Sequence, residues 1–130
     1  MKSKVVLVCR LLLGALFLFS GVSGLMMVLG IGNMAMPPME PAMATIMAGF
    51  MATKYMLPLV KLIEIVAGLL LISGKFQNLA IVLLGPIVVN IFLIHLCVER
   101  HELPMALAVV GVFGVIVWSR WDEFKFVLKA

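Results

Sequence analysis

The run from Met56 to Ile72 is free of charge except at two positions, Lys61 and Glu64. On insertion scales a charged side chain at mid-bilayer costs about 2.5–3.5 kcal/mol, so a chain keeps one only where it pairs, reaches an interface or lines a polar cavity. Three positions apart on a helix, the two side chains project about 60° from each other, close enough for ammonium and carboxylate to meet. Pro58-Leu59-Val60-Lys61-Leu62-Ile63-Glu64 therefore reads as the root of a buried polar site.

The run is not isolated. Of 130 residues, 65% are hydrophobic and 12% charged, against roughly 45–50% and about 25% in soluble domains. This is the composition of an integral membrane protein. Long apolar runs with short polar punctuation predict helices rather than a barrel, whose strands would alternate over about ten residues. The expected fold is all-α: one transmembrane domain over residues 1–130, a four-helix bundle with spans at about 5–30, 56–72, 79–98 and 104–121. The net charge of +4 sits at the ends of apolar segments with no basic stripe, which excludes a nucleic-acid footprint and points to the lipid bilayer as the partner. Cys9 and Cys97 stand alone in separate spans with no C-x-x-C pair, so a disulfide is not expected.

The apolar run after Lys2 and Lys4 resembles a secretory signal, with small residues from Ser20 to Gly24. It continues through Leu25-Met26-Met27-Val28-Leu29, longer than a signal core, so the first span is expected to be retained. Gly14, Phe17, Gly21 and Gly24 form a face that lets a neighbouring helix approach closely. Arg10 is read as an interfacial residue that snorkels to lipid phosphates or as a functional polar partner. Between the first two spans, the proline-broken stretch Met34–Pro41 leads into a short Met-rich interfacial helix in which Met39, Met43, Met47 and Met51 recur every fourth residue. One reading is adaptable packing; the other is a soft-metal stripe, since thioethers suit Cu(I). Ser73-Gly74-Lys75 has helix-ending chemistry. Pro86 in the third span predicts a kink one turn before Asn90, and Pro104 suits the first turn of the fourth span. Trp118 and Trp121 mark an interface. Gly111 and Gly114 are the expected close-packing positions of the fourth span.

Lys2, Lys4, Arg10, Lys75, Arg120, Lys125 and Lys129 fall on one side of the membrane, Lys54 and Arg100 on the other, with Lys61 inside. By the positive-inside rule both termini are cytoplasmic and the Met-rich segment is outside. At about 1.5 Å per residue, Lys61 lies about 7 Å from the outer end of its span, Glu64 about 12 Å, His95 about 5 Å and Asn90 about 12 Å. The match in depth across two antiparallel spans makes Lys61, Glu64, Asn90 and His95 a candidate ligand site, although Asn90 and His95 project about 140° apart around their helix. Two readings stay open: a structural polar network, or a site whose donors hold quinone carbonyls or a lipid headgroup while apolar neighbours take the tail. A self-contained haem site is not expected with one histidine inside a span. No zinc spacing, phosphate loop or Ser/His/Asp arrangement is present. The chain is thus read as non-catalytic by itself.

Several stretches carry a family resemblance: Arg10-Leu-Leu-Leu-Gly14 followed by Phe19-Ser-Gly21; Pro58, Lys61, Glu64 and Gly68; Ala80 with Gly85-Pro86-Ile-Val-Val-Asn90-Ile-Phe-Leu-Ile-His95; and Leu103-Pro104. Over nearly its whole length the chain resembles the DoxX family of small four-span membrane proteins, in its DoxX-like branch. The resemblance implies a helical bundle in the bacterial inner membrane, associated with quinone-linked oxidases or other membrane oxidoreductase subunits. Arg10, Glu64, Asn90 and His95 carry over as matched motif positions. The expectation is an accessory or ligand-binding subunit, with a bound quinone as the candidate cofactor. The alternative is a small proton- or cation-coupled transporter or channel, in which Glu64 and His95 relay the ion. The glycine faces of the first and fourth spans serve intramolecular packing or a homo-oligomer equally well.

Overall fold

In a computed structural model describing residues 2–33 and 36–129, the chain is all-α. Met34 and Ala35, at the start of the proline-broken stretch, lie outside the described residues. The elements are α1 (Lys2–Leu29), α2 (Pro41–Ala52), α3 (Met56–Ser73), α4 (Gln77–Cys97), α5 (Leu103–Ser119) and the short α6 (Trp121–Phe124), with single turns of 3-10 helix at Arg100–Glu102 and Lys125–Leu128. Four of them are long and apolar enough to cross a membrane, and α2 is the shorter Met-rich helix. The boundaries follow local chemistry. Pro41 and Pro104 open α2 and α5, where a missing N–H leaves no helical bond unmade. Gly74 stops α3 in the left-handed region at φ 77°, its N–H donating to the Leu70 carbonyl at 3.0 Å. Pro86 sits inside α4, which runs unbroken from Gln77 to Cys97.

α1 and α3 share the most extensive contact; α3 then meets α4, α4 meets α5, and α5 closes on α1. Glycine makes the first contact possible. Gly14 lies against Gly68 and Ile72, Gly21 against Lys61 and Ile65, and Gly24 against the Lys61 side chain, so the helices run antiparallel. A Cβ on Gly68 would come within 2.8 Å of backbone atoms of Gly14 and Leu18. Small residues of this kind draw transmembrane helices together because lipid supplies no hydrophobic drive between them. The small-residue face expected on the first span is therefore used within the chain. That expected on the fourth is not: a Cβ on Gly111 or Gly114 would meet nothing within 4 Å.

Leu13, Phe17, Ala67, Leu71, Leu84, Val109 and Ile116 fill the centre. Apolar side chains also cover the outside, among them Leu12, Phe19, Leu62, Val82 and Leu107. A surface of this size and polarity is matched by lipid. The two ends differ. One end gathers the start of α1, the α3–α4 turn and the end of α5, where Arg120 donates to Asn78 and to Glu123, and Asn78 donates to Glu123. The Asn78 hydrogen bond, with Arg120 beside it, holds the Glu123 carboxyl below the usual carboxylate range. The other end is spanned by residues 36–55.

Gly68→Ala should force α1 and α3 apart and lose about 1–3 kcal/mol, read as a lowered midpoint of thermal unfolding in detergent followed by tryptophan fluorescence. Gly114→Ala, with open space around it, should stay within about 0.5 kcal/mol. Equal effects from the two substitutions would show that the α1–α3 contact does not depend on the missing side chain.

Candidate functional site

Lys61 and Glu64 occupy adjacent turns of α3 and meet: Nζ to Oε2 is 3.2 Å. Glu64 is 4% exposed, and it is the buried charged residue among the described ones. A third group arrives from α1. The Ser20 hydroxyl donates to Glu64 Oε2 at 3.3 Å, and Lys61 Nζ donates to Ser20 Oγ at 3.5 Å. The close passage of α1 creates this triangle. Gly24 leaves the room in which the Lys61 stem lies: a Cβ there would stand 2.5 Å from Lys61 Cε and 3.1 Å from Nζ. Glu64 thus faces the bundle interior with a cation and a hydroxyl, while the Lys61 head lies at the edge of an open space.

That space is a cavity of about 680 Å³ between the α2 end of the bundle and the segment crossing over it. Its apolar wall is largely methionine: Met27, Met36, Met39, Met43, Met47 and Met105, with Val28 and Leu57. Its polar groups are Lys61, His95, Glu99, His101, Glu40 and Glu102. His95 Nδ1 lies 2.7 Å from the Ile91 carbonyl, which can only accept, so that nitrogen carries a hydrogen. Nε2 is left toward the cavity and is 3.9 Å from Glu99 Oε2. His101 Nδ1 is 3.3 Å from Glu40 Oε1, joining the α4–α5 connection to the residue that precedes α2. The crossing segment is therefore tied down by a polar contact as well as by its methionines.

Of the four residues expected to form one site, Lys61 and His95 line the cavity and Glu64 underpins it through Lys61. Asn90 is not brought to them. It is exposed on α4 and its amide donates to the Pro86 carbonyl at 2.9 Å, one turn back on its own helix. Its depth matches that of Glu64, but its direction around the helix does not. Met39, Met43 and Met47 line the cavity, whereas Met51 is 47% exposed and does not. Arg10 lies at the opposite end, against Gly74. Ser20, Glu40, Glu99, His101 and Glu102 escape the reading of the sequence. Ser20 sits beside Gly21 on the close-packed face, which was a usable signal. The other four belong to connections, where periodicity gives no direction.

The family model described as DoxX matches residues 5–96, which spans α1 to the end of α4 and takes in Ser20, Lys61, Glu64 and His95. Neither a curated protein nor a solved structure matches the chain.

Breaking a buried pair leaves a charge without a partner, at about 3 kcal/mol or more. Lys61→Met should therefore destabilise the bundle more than Glu64→Gln, because Glu64 has no path to solvent whereas Lys61 faces the cavity. The Lys61→Met/Glu64→Leu double variant should regain most of the loss. Thermal unfolding of all four proteins in one detergent measures the coupling, and strict additivity would mean that the ion pair does not organise this region.

Proposed function

The chain belongs to the DoxX family, and from that premise we propose that it is a non-catalytic membrane subunit that holds a quinone in the methionine-walled cavity for a redox partner. The observation that carries this reading is a cation at the edge of an apolar, roomy space, fixed from behind by a buried carboxylate. Lys61 Nζ has three donors. Glu64 and Ser20 engage two, and the third is available to a carbonyl oxygen. His95 Nε2 offers a second contact: a lone pair for a hydroquinone hydroxyl when the ring is neutral, a donor for a quinone carbonyl when it is protonated. Methionines adapt to a flexible isoprenoid tail because they are unbranched and polarizable. A bound quinone would supply two-electron, two-proton chemistry, and these residues would bind its head and keep it oriented.

Two other readings receive less support. A cation relay requires polar groups beyond Glu64, yet among the described residues the buried side chains between Glu64 and the basic end of the bundle are apolar, Ala67, Leu71, Leu13, Phe17, Ile81 and Ile116 among them. A soft metal requires thioethers closed around an ion, whereas Met39, Met43 and Met47 border a space of about 680 Å³. For orientation we propose the bacterial inner membrane with both termini cytoplasmic, supported by the excess of Lys and Arg at the end that carries the start of α1, the α3–α4 turn and the end of α5. A C-terminal green fluorescent protein fusion should then be bright and a C-terminal alkaline phosphatase fusion inactive; the reverse pattern would invert the assignment.

Solvent extraction of protein purified in mild detergent, followed by mass spectrometry, should yield quinone near one per chain. Lys61→Met should reduce it several-fold and His95→Leu less, with unfolding midpoints recorded alongside. Bulk phospholipid with no quinone enrichment would leave the Lys61–Glu64–Ser20 triangle a purely structural network.

A further inference from the structure

The end of the bundle opposite the methionine cavity carries a second concavity, of about 600 Å³, whose lining includes Ser3, Leu7, Arg10, Gln77, Ser119 and Arg120. Its chemistry is cationic. The Arg10 Nε is buried without a hydrogen-bond partner, and no ion pair to Arg10 occurs among the described residues. The guanidinium lies on the α3–α4 turn, its atoms 3.2–3.3 Å from where a Cβ of Gly74 would stand. Glycine there supplies both the left-handed φ and the room for the arginine. Arg120, on the other wall, is engaged by Asn78 and Glu123 through Nε and Nη2. α4 also begins here at Gln77, with neither a side-chain cap nor an acidic residue in its first turn, so the positive end of its dipole is uncompensated. Among the described residues no carboxylate lines the concavity, and Glu123 nearby is held by Asn78 and Arg120.

A guanidinium with its fork unpaired in a partly dry site calls for a planar or tetrahedral oxyanion. The membrane offers one at this depth, since Trp118 and Trp121, beside the Ser119–Arg120 wall, are residues of the interface. Nearer the membrane middle, between α1 and α5, lies a separate apolar groove whose lining includes Leu12, Leu16, Ala108 and Val112. From Ser119 to Ala108 the helix advances about 16 Å, comparable to most of an acyl chain. The described lining offers two guanidinium groups and no carboxylate for an ammonium headgroup.

We propose that this concavity is a binding site for an anionic phospholipid, with the phosphate on Arg10, Arg120 and the start of α4 closing one side, and a tail along the α1–α5 seam. It is separate from the quinone reading and does not depend on it.

The test uses the full chain in detergent, supplemented in turn with phosphatidylglycerol, phosphatidylcholine or millimolar inorganic phosphate, and followed by native mass spectrometry and thermal unfolding. One phosphatidylglycerol should remain bound and raise the unfolding midpoint, with phosphatidylcholine giving neither effect. Arg10→Gln should lower that occupancy about tenfold, the scale of a lost charge-assisted contact. Leu7→Glu, at a half-exposed position of the rim, should do the same by supplying an internal anion, and it keeps the test available if Arg10→Gln folds poorly. Lys4→Gln and Lys75→Gln, exposed cations outside the lining, should retain the lipid. Equal binding of the two lipids, or equal losses in the lysine variants, would overturn the site in favour of diffuse surface charge. Inorganic phosphate reproducing the whole stabilisation would overturn the lipid assignment.

Discussion

A carboxylate taken out of water must be met by a cation or by a proton, and in this bundle Glu64 is met by Lys61 at 3.2 Å and by the Ser20 hydroxyl at 3.3 Å. Much else follows from that requirement. The pair lies on α3, but its third member lies on α1, so the two helices must pass close enough for a serine to reach. Gly21 and Gly24 on one side and Gly68 on the other permit this. Close packing and charge neutralisation are therefore one design rather than two. Lys61 is also led out by the space at Gly24 to a place where its remaining donor meets the cavity. A buried pair is weak evidence of stability by itself, because desolvation offsets the Coulomb gain. Here its stronger consequence is geometric: it fixes where a cation stands.

The legible part of the fold was the part encoded in runs and caps. Four long apolar helices, α1, α3, α4 and α5, were legible from apolar length, and Gly74 and Pro104 end and begin helices for backbone reasons that any neighbour would leave intact. What was less legible was direction around each helix. Depth placed Asn90 level with Glu64, yet the Asn90 amide turns to the Pro86 carbonyl one turn back. In a membrane that local bond satisfies the side-chain amide without a partner from another helix, so it competes well with a distant site. Gly111 and Gly114 look like a packing face by spacing alone and meet nothing within 4 Å. The α1–α3 register was equally hidden, since it emerges from matching two surfaces and not from either sequence. Ser20 gains its role only from that register.

The two ends of the bundle answer the same solvent problem differently. At the α2 end each of three carboxylates has a partner within the protein: Glu40 lies beside His101, Glu99 beside His95, and Glu64 on Lys61. At the other end Arg120 has Asn78 and Glu123, but the partly sunken Arg10 has its Nε buried and unbonded. An end whose carboxylates already have partners suits a neutral guest, while an end with cation to spare selects an anionic one. This contrast favours the two proposed assignments, a quinone-like head in the methionine cavity and a phosphate in the basic concavity, and at opposite ends of the bundle the two guests would not compete.

Methionine explains why the first site need not be rigid. The wall formed by Met36, Met39, Met43 and Met47 belongs to a segment with no fully buried residue in α2 and with limited contact to α3, anchored by the Glu40–His101 contact at 3.3 Å. Such a wall can repack around an isoprenoid tail without disturbing the α1–α3 contact, because these four methionines lie outside α1 and α3. The polar triangle then supplies the fixed reference and the thioethers supply the tolerance. Specificity on this view rests with the head, set by one cation and one imidazole whose positions come from the α1–α3 contact and the α4 backbone, while the tail contributes binding with little demand on shape.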